Sequence, residues 1–406
     1  MARRGDVQAS VNQPTVAVLG GAVAGLAAAE RFREFADVTM FERQSYDDKR
    51  VNCGEAINEA SLVPLEKIAE NGFVNRVKQF EIEIYGSTNH ANKPPLARSS
   101  IDPKCGYITD RNVVECRWAT RLATGEDGPA VDVRDDTNVS IGQYWELVEA
   151  YDYVVDATGH PSLTTKAAGE TNQYTGDMIA LNADVEGEFA EYLHLPRIVF
   201  EGYVGYWWCF PKTETRANVG IGWAGTERPT NYIEALWSAC DRMDIPRPNR
   251  EDVNAATIPQ GPSLDLERLH PEQGVFLVGD AAGIANRYQG EGICQAIRSS
   301  NLLARLVREN RESNYPRHLH KQMKAEYRLA TLMRSVLEDT DDVQLVAHVA
   351  TAIDGLTVND VTRRPWRVYT RIVQRPRLLA RLAGTPAMRR RLVRAYTDCW
   401  EYNSVT

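Results

Sequence analysis

The 406-residue chain has no run of eighteen apolar residues, so no helix of membrane-spanning length is expected. Its opening, MARRGDVQASVNQP, carries arginines without the apolar stretch of a secretory signal, and residues 1–13 read as a flexible tail. The seven cysteines, at 53, 105, 116, 209, 240, 294 and 399, include no C-x-x-C pair and no zinc-type spacing. A zinc module is therefore excluded, no metal ligands are expected, and scattered thiols fit a reducing cytoplasm better than a disulfide scaffold, although a single disulfide is compatible with the count. Lysine and acidic residues are missing from Val361 to Arg394, where eleven arginines fall. The remainder then holds 36 bases against 55 acids, or −19, compared with −8 for the whole chain. An acidic body argues against a nucleic-acid binder, while the basic patch leaves room for a local anionic partner.

Length exceeds what one core usually supports, and 43% hydrophobic residues provide ample apolar material, so two domains or a domain with a large insertion are expected. The stretch TVAVLGGAVAGLAAAERFREFADVTMFER, residues 15–43, reads as strand, tight turn, helix, strand, acid. Gly20 and Gly25 take the first and last glycine positions of a dinucleotide fingerprint, and Ala22 replaces the middle one. Glu42 follows Gly20 by 22 residues, the spacing of a carboxylate that receives ribose hydroxyls, and Arg43 lies beside it. This unit alone does not separate FAD from NAD. Two later segments, YVVDATG (Tyr153 to Gly159) and VFLVGDAAG (Val275 to Gly283), read as buried strands ending in small and polar residues. A helix is expected after Gly290, its N-terminus offering free N–H groups to a phosphate or a flavin carbonyl.

Together with GYITDRNVVE (Gly106 to Glu115), these segments resemble flavoproteins of the p-hydroxybenzoate hydroxylase fold group. The resemblance covers residues 14–305 and implies FAD. It assigns cofactor contacts to Asp280 on the ribityl chain and to Arg111, with further contacts from Gly20, Ala22, Gly25, Glu42 and Arg43 at the first turn. Cys53, Asp156, Gly159, Gly292 and Ile293 complete the expected set. A second glycine-rich fingerprint is missing, so electrons are expected from transiently bound NAD(P)H or from a separate redox protein.

Between the nucleotide segments lies strand-like alternation at Phe80 to Tyr85 and Met178 to Val185, and a clearer hairpin from Glu201 to Phe210 and Ala217 to Trp223. In GYWWCFPK, residues 205–212, the side chains of Tyr206, Trp208 and Phe210 share one strand face. Aromatic residues pack well in sheets without any function. The weight of this stripe points instead to a cavity wall, since Tyr and Trp present apolar surface with a polar edge. The spacing Tyr206-x-Trp208-x-Phe210-Pro211-Lys212, the NCGEAI loop (Asn52 to Ile57) and NVGIG (Asn218 to Gly222) resemble the geranylgeranyl reductase family. NRYQGE, Asn286 to Glu291, departs from that family's usual residues and brings Tyr288 toward the substrate.

The resemblance implies an FAD-dependent reductase that saturates isolated C=C bonds of a polyprenyl chain, on a lipid-linked substrate. Tyr206, Trp208, Phe210, Lys212 and Tyr288 are expected to hold the substrate, with Cys53, Glu55 or Tyr206 as proton source. A flavin-dependent monooxygenase or halogenase of the same fold, or a noncatalytic lipid-binding flavoprotein, are the alternatives. The expected fold is α/β: a Rossmann-like FAD-binding domain from residues 14–80, 105–170 and 272–310, with an inserted antiparallel-sheet cap domain from 81–104 and 171–271. A C-terminal helical basic region, 311–406, follows. In its helical pattern Leu378, Leu379 and Leu382 share a flank, while Arg377 and Arg381 lie four apart. That basic face is a solvated surface, a contact for the inner face of an anionic membrane, or a dock for an acidic electron carrier.

Overall fold

Five parallel strands form the nucleotide sheet, in the order Val275–Leu277, Tyr153–Asp156, Thr15–Leu19, Asp37–Phe41, Asp132–Arg134. The computed structural model describes residues 13–90, 93–171, 178–224, 227–258, 270–286, 288–338, 343–384 and 386–397. The first strand, TVAVL, is β-branched and buried, as a strand covered on both faces must be. The chain then turns at Gly20, φ +94°, into the helix Val23–Phe32. A Cβ on Gly25 would lie 1.8 Å from the Gly20 carbonyl oxygen, so only glycine lets this helix pack onto the turn. The helix Ile293–Arg308 packs beside it. The carboxyl ends of the first, Tyr153 and Val275 strands therefore open on one side, where open α/β sheets bind ligands.

An eight-stranded sheet forms the cap, ordered Asn254–Ile258, Met178–Glu186, Arg216–Ala224, Gly205–Pro211, Arg197–Phe200, Phe80–Ile84, Ala97–Asp102, Leu356–Thr357. It is antiparallel except where Arg197–Phe200 runs with Phe80–Ile84 and Leu356–Thr357 with Ala97–Asp102. The last of these strands comes from the C-terminal region. Its two residues carry no periodic signal; they are held by Gly355 N donating to Ser100 O and by Asp354 accepting from Ser100 N. A three-stranded antiparallel sheet, Ala56–Ile57, Gly106–Thr109 and Phe73–Val77, links the two large sheets.

Six helices from Tyr315–Glu338 to Pro386–Tyr396 cover one side of the cap. Their apolar faces share a core with Ile82, Ile84, Ile101 and Phe200. Pro365 caps one of these helices, while Pro376 and Pro386 start two more, as the missing proline N–H allows at a helix start. The leucine flank divides: Leu378 is buried, whereas Leu379 is exposed. No helix among the described residues is long and apolar enough to cross a membrane. Cysteines 53, 105, 116, 209, 240 and 294 are free thiols. Residues 1–12 of the expected tail, Arg287 and Cys399 lie outside the described residues.

Candidate active site

A cavity of about 370 Å³ lies where the nucleotide sheet, the cap sheet and the C-terminal helices meet. Its polar end is built from Ala22, Thr158, Gly159, Asp280 and Gly292, and its apolar end from Ile82, Ile198, Phe200, Tyr206 and Tyr288. Two helix N-termini open onto it. Neither Ala22, ahead of Val23–Phe32, nor Gly292, ahead of Ile293–Arg308, supplies a side-chain cap, so backbone N–H groups face the space.

The aromatic strand forms the wall. Tyr206, Trp208 and Phe210 follow one another at centroid distances of 5.8 and 6.1 Å. Phe80 extends the row at one end, and Phe200 and Tyr288 extend it at the other. The glycines of NVGIG make this possible. Gly220 and Gly222 pair with Trp208 and Tyr206 on the next strand, and a Cβ on Gly220 would lie 2.1 Å from the Trp208 ring. On the other side the NCGEAI loop presses in, where a Cβ on Gly54 would meet Phe210 and Trp208 at 3.2 Å. Trp208 Nε1 donates to Asn218 Oδ1 at 2.9 Å, which fixes the indole, and Tyr206 donates its hydroxyl to the Gln289 carbonyl.

Of the residues expected at the cofactor, Ala22, Cys53, Arg111, Gly159, Asp280, Gly292 and Ile293 border the cavity. Gly20 and Gly25 shape the turn beneath it. Arg111 lies along the wall near Cys53, its Nε donating to the buried Glu115 at 2.8 Å. Three expectations need correction. Asp156 does not face the space: its two oxygens accept from the N–H and hydroxyl of both Thr158 and Thr164, which builds the turn after its strand. Glu42 is also turned inward. Its carboxylate accepts from Gly21 N, Gln44 N and Lys49 Nζ, because the segment after the second strand folds back and buries Lys49 over it. Arg43 is exposed and does not border the cavity.

Two expected substrate or acid groups are spent elsewhere. Lys212 does not border the cavity; its buried ammonium pairs with Glu55, with Asp110 at 3.0 Å and with Asp184 at 2.8 Å. Burial works against that ammonium, yet Glu55 and Asp184 more than offset it and its pKa is raised. Glu55 borders the cavity with a strained backbone, φ +60°, but its carboxyl is committed to Lys212 and to Arg111 N. Burial raises its pKa despite the ammonium. Burial also raises the Tyr206 phenol, whose proton is engaged by the Gln289 carbonyl.

The family model of the geranylgeranyl reductase catalytic domain matches residues 178–247, the hairpin that carries the aromatic wall. This chain is similar to the geranylgeranyl reductase family. It is 28% identical over 325 residues to the digeranylgeranylglycerophospholipid reductase of Thermoplasma acidophilum, covering 74% of this chain and 79% of the relative. The corresponding protein of Methanosarcina acetivorans is 26% identical over 308 residues, covering 70% and 72%. Among solved structures, a geranylgeranyl bacteriochlorophyll reductase-like protein from Thermoplasma acidophilum aligns with a TM-score of 0.66 at 19% identity, over 92% of this chain and 99% of that one. The flavin-dependent halogenase CmlS aligns at 0.58 and 16% identity, over 92% and 78%. Both structural likenesses establish the fold.

The family and fold matches make the chain an FAD-dependent oxidoreductase. The two uncapped helix ends, the small residues at 157–159 and the polar end of the cavity fit a flavin and its pyrophosphate. The expected ribose acid, Glu42, is paired with Lys49. Sequence reasoning missed several wall residues of this cavity. Phe200 and Ile198 come from a short strand without a motif, and Glu291, read as part of a helix start, borders the cavity itself. A glutamate held between two glycines ahead of a buried helix was the available signal for the last.

Proposed function

We propose that this protein reduces isolated C=C bonds of a polyprenyl chain on a lipid-linked substrate. The observation that carries the reading is the continuity of one cavity from the nucleotide end to a wall in which the rings of Phe80, Phe210, Trp208, Tyr206, Phe200 and Tyr288 follow one another. Bound FAD, once reduced, supplies a hydride. The protein's part is to align and dry the alkene, which has no carbonyl to hold developing charge. Tyr206, Trp208, Phe210 and Tyr288 grip the chain, and their ring faces favour a developing cation. Cys53 and Arg111 brace the opposite wall.

The lipid linkage is supported by the C-terminal helices. Trp366, Val373 and Val393 are 57%, 60% and 61% exposed amid the arginine-rich sequence. An anionic lipid surface satisfies both features, with each basic side chain near the surface worth about 1 kcal/mol. The reductant, NAD(P)H or a separate redox protein, visits rather than resides.

Anaerobic protein reduced with dithionite, incubated with prenyl lipids and read by mass spectrometry, should yield products heavier by two hydrogens per reduced bond. Absence of such products, together with rapid substrate-stimulated oxygen uptake in a separate aerobic assay, would support monooxygenase chemistry instead.

A further inference from the structure

We propose that Glu291 is the proton donor of this reduction, delivering its carboxyl proton to the alkene and recovering one from solvent through a separate polar passage. The inference rests on the reductase reading and deepens it. Glu291 borders the main cavity between the nucleotide end, at Gly292 and Ile293, and the aromatic wall, at Tyr206. The same side chain borders a second, smaller pocket of about 10 Å³, shared with Asn58, Lys104, Arg298 and Asn359. Lys104 is exposed, so this pocket leads outward. Glu291 therefore stands at the junction of an apolar chamber and a polar exit, as an acid serving a dry alkene must.

Its Oε2 is buried and has no hydrogen-bond partner, and Cys294 and Asn58 lie beside the carboxyl. An ionised carboxylate oxygen left so would be costly, whereas a neutral acid carries its own donor. The charged and titratable groups facing it are Glu326 from the Tyr315–Glu338 helix, Cys294 and Arg298 from the Ile293–Arg308 helix, and Tyr206 from the aromatic strand. Burial raises the Glu291 pKa, and Glu326 adds to the rise against the pull of Arg298. Arg298 is itself committed to Glu59 at 2.5 Å. The other acids near the cavity are less suited: Glu55 is paired with Lys212, and the Tyr206 hydroxyl is bonded to a carbonyl.

The step balances. The Glu291 O–H bond breaks, and the alkene π pair forms a C–H bond with that proton at one carbon. The hydride supplied by reduced flavin forms the second C–H bond at the neighbouring carbon. The alkene gains two electrons that the flavin loses, and the carboxylate takes a proton from water through the Asn58–Lys104 passage.

The test compares Glu291→Gln and Glu291→Asp with the unsubstituted protein. Glu291→Gln should lower kcat on a prenyl lipid by roughly 100-fold or more, the range for removing a general acid, with KM and FAD affinity unchanged. Its pH profile should lack the alkaline limb, which in the unsubstituted enzyme falls as pH rises through the elevated carboxyl pKa. Glu291→Asp should retain part of the rate and the limb. Independently of turnover, infrared spectra of the FAD-loaded protein at pH 7 should contain a protonated-carboxyl C=O band that Glu291→Gln removes. Turnover of Glu291→Gln equal to that of the unsubstituted enzyme overturns the donor role and leaves the reductase reading standing. Absence of the infrared band overturns it even if neither protein turns over.

Discussion

The strand Gly205–Pro211 has two faces of similar composition and opposite fate. Tyr206, Trp208 and Phe210 look onto the cavity, while Trp207 and Cys209, both 0% exposed, sit in a closed core with Val199, Val219 and Leu236. What differs is the opposing surface. On the closed side the helix Tyr232–Arg242 lays its apolar stripe against the sheet. On the open side stand glycines, a loop and the uncapped ends of two helices, none of which can fill the space. An aromatic stripe thus becomes a binding wall through what is absent opposite it, and shape rather than hydrophobicity marks the site.

Replacing the buried ring should give the largest effect. Trp207→Ala should cost about 3–5 kcal/mol in denaturant unfolding, whereas Trp208→Ala, whose ring borders a void, should cost markedly less. Equal losses would erase the distinction between the faces. Lys212→Met should cost about 3–5 kcal/mol, because Glu55, Asp110 and Asp184 would be left around an uncharged chain. The sign of its pH dependence follows from Asp110. Burial raises that carboxyl, but Lys212 and Arg216 more than offset it and hold its pKa below the usual value. Its stabilisation is therefore present above the ordinary aspartate pKa and lost as pH falls through the depressed one. Thermal scans across acid pH should show this loss in the unsubstituted protein and a smaller one in Lys212→Met.

Gly220→Ala places a methyl 2.1 Å from the Trp208 ring and 2.5 Å from the Leu181 carbonyl. The ring must move into the cavity, so a loss of about 1–3 kcal/mol should accompany a fall in prenyl reduction. Trp208→Ala should slow long prenyl chains more than short ones, measured as kcat/KM on a chain-length series; a uniform fall would mark general packing damage. The smallest effect lies at the rim. Arg389→Glu with Arg390→Glu should weaken sedimentation with anionic vesicles by about 1 kcal/mol per charge, and salt should abolish the difference.

Most of the nucleotide half was legible in the chain because its signals are local. Gly20, Gly25 and the buried strands specify turn, helix and sheet within thirty residues or so of one another, and small residues there have few alternative uses. The hairpin and its alternation were legible for the same reason. Partner choice was not. Nothing near Lys212 in the sequence announces Glu55, Asp110 and Asp184 together, so its proximity to the aromatic motif was misleading about its direction. Glu42 likewise has the expected spacing, yet Lys49, seven residues on, folds over it. The edge strand Leu356–Thr357 is two residues long and is held by contacts to Ser100, far away in the chain.

The residue order alone settled which segments become strands and helices and which faces are apolar, since these follow from backbone sterics and side-chain periodicity over a few residues. The tertiary fold decided which apolar face remains open and which buried carboxyl keeps a free oxygen at the cavity. Those outcomes depend on desolvation and charge pairing among groups hundreds of residues apart, and no local pattern encodes them.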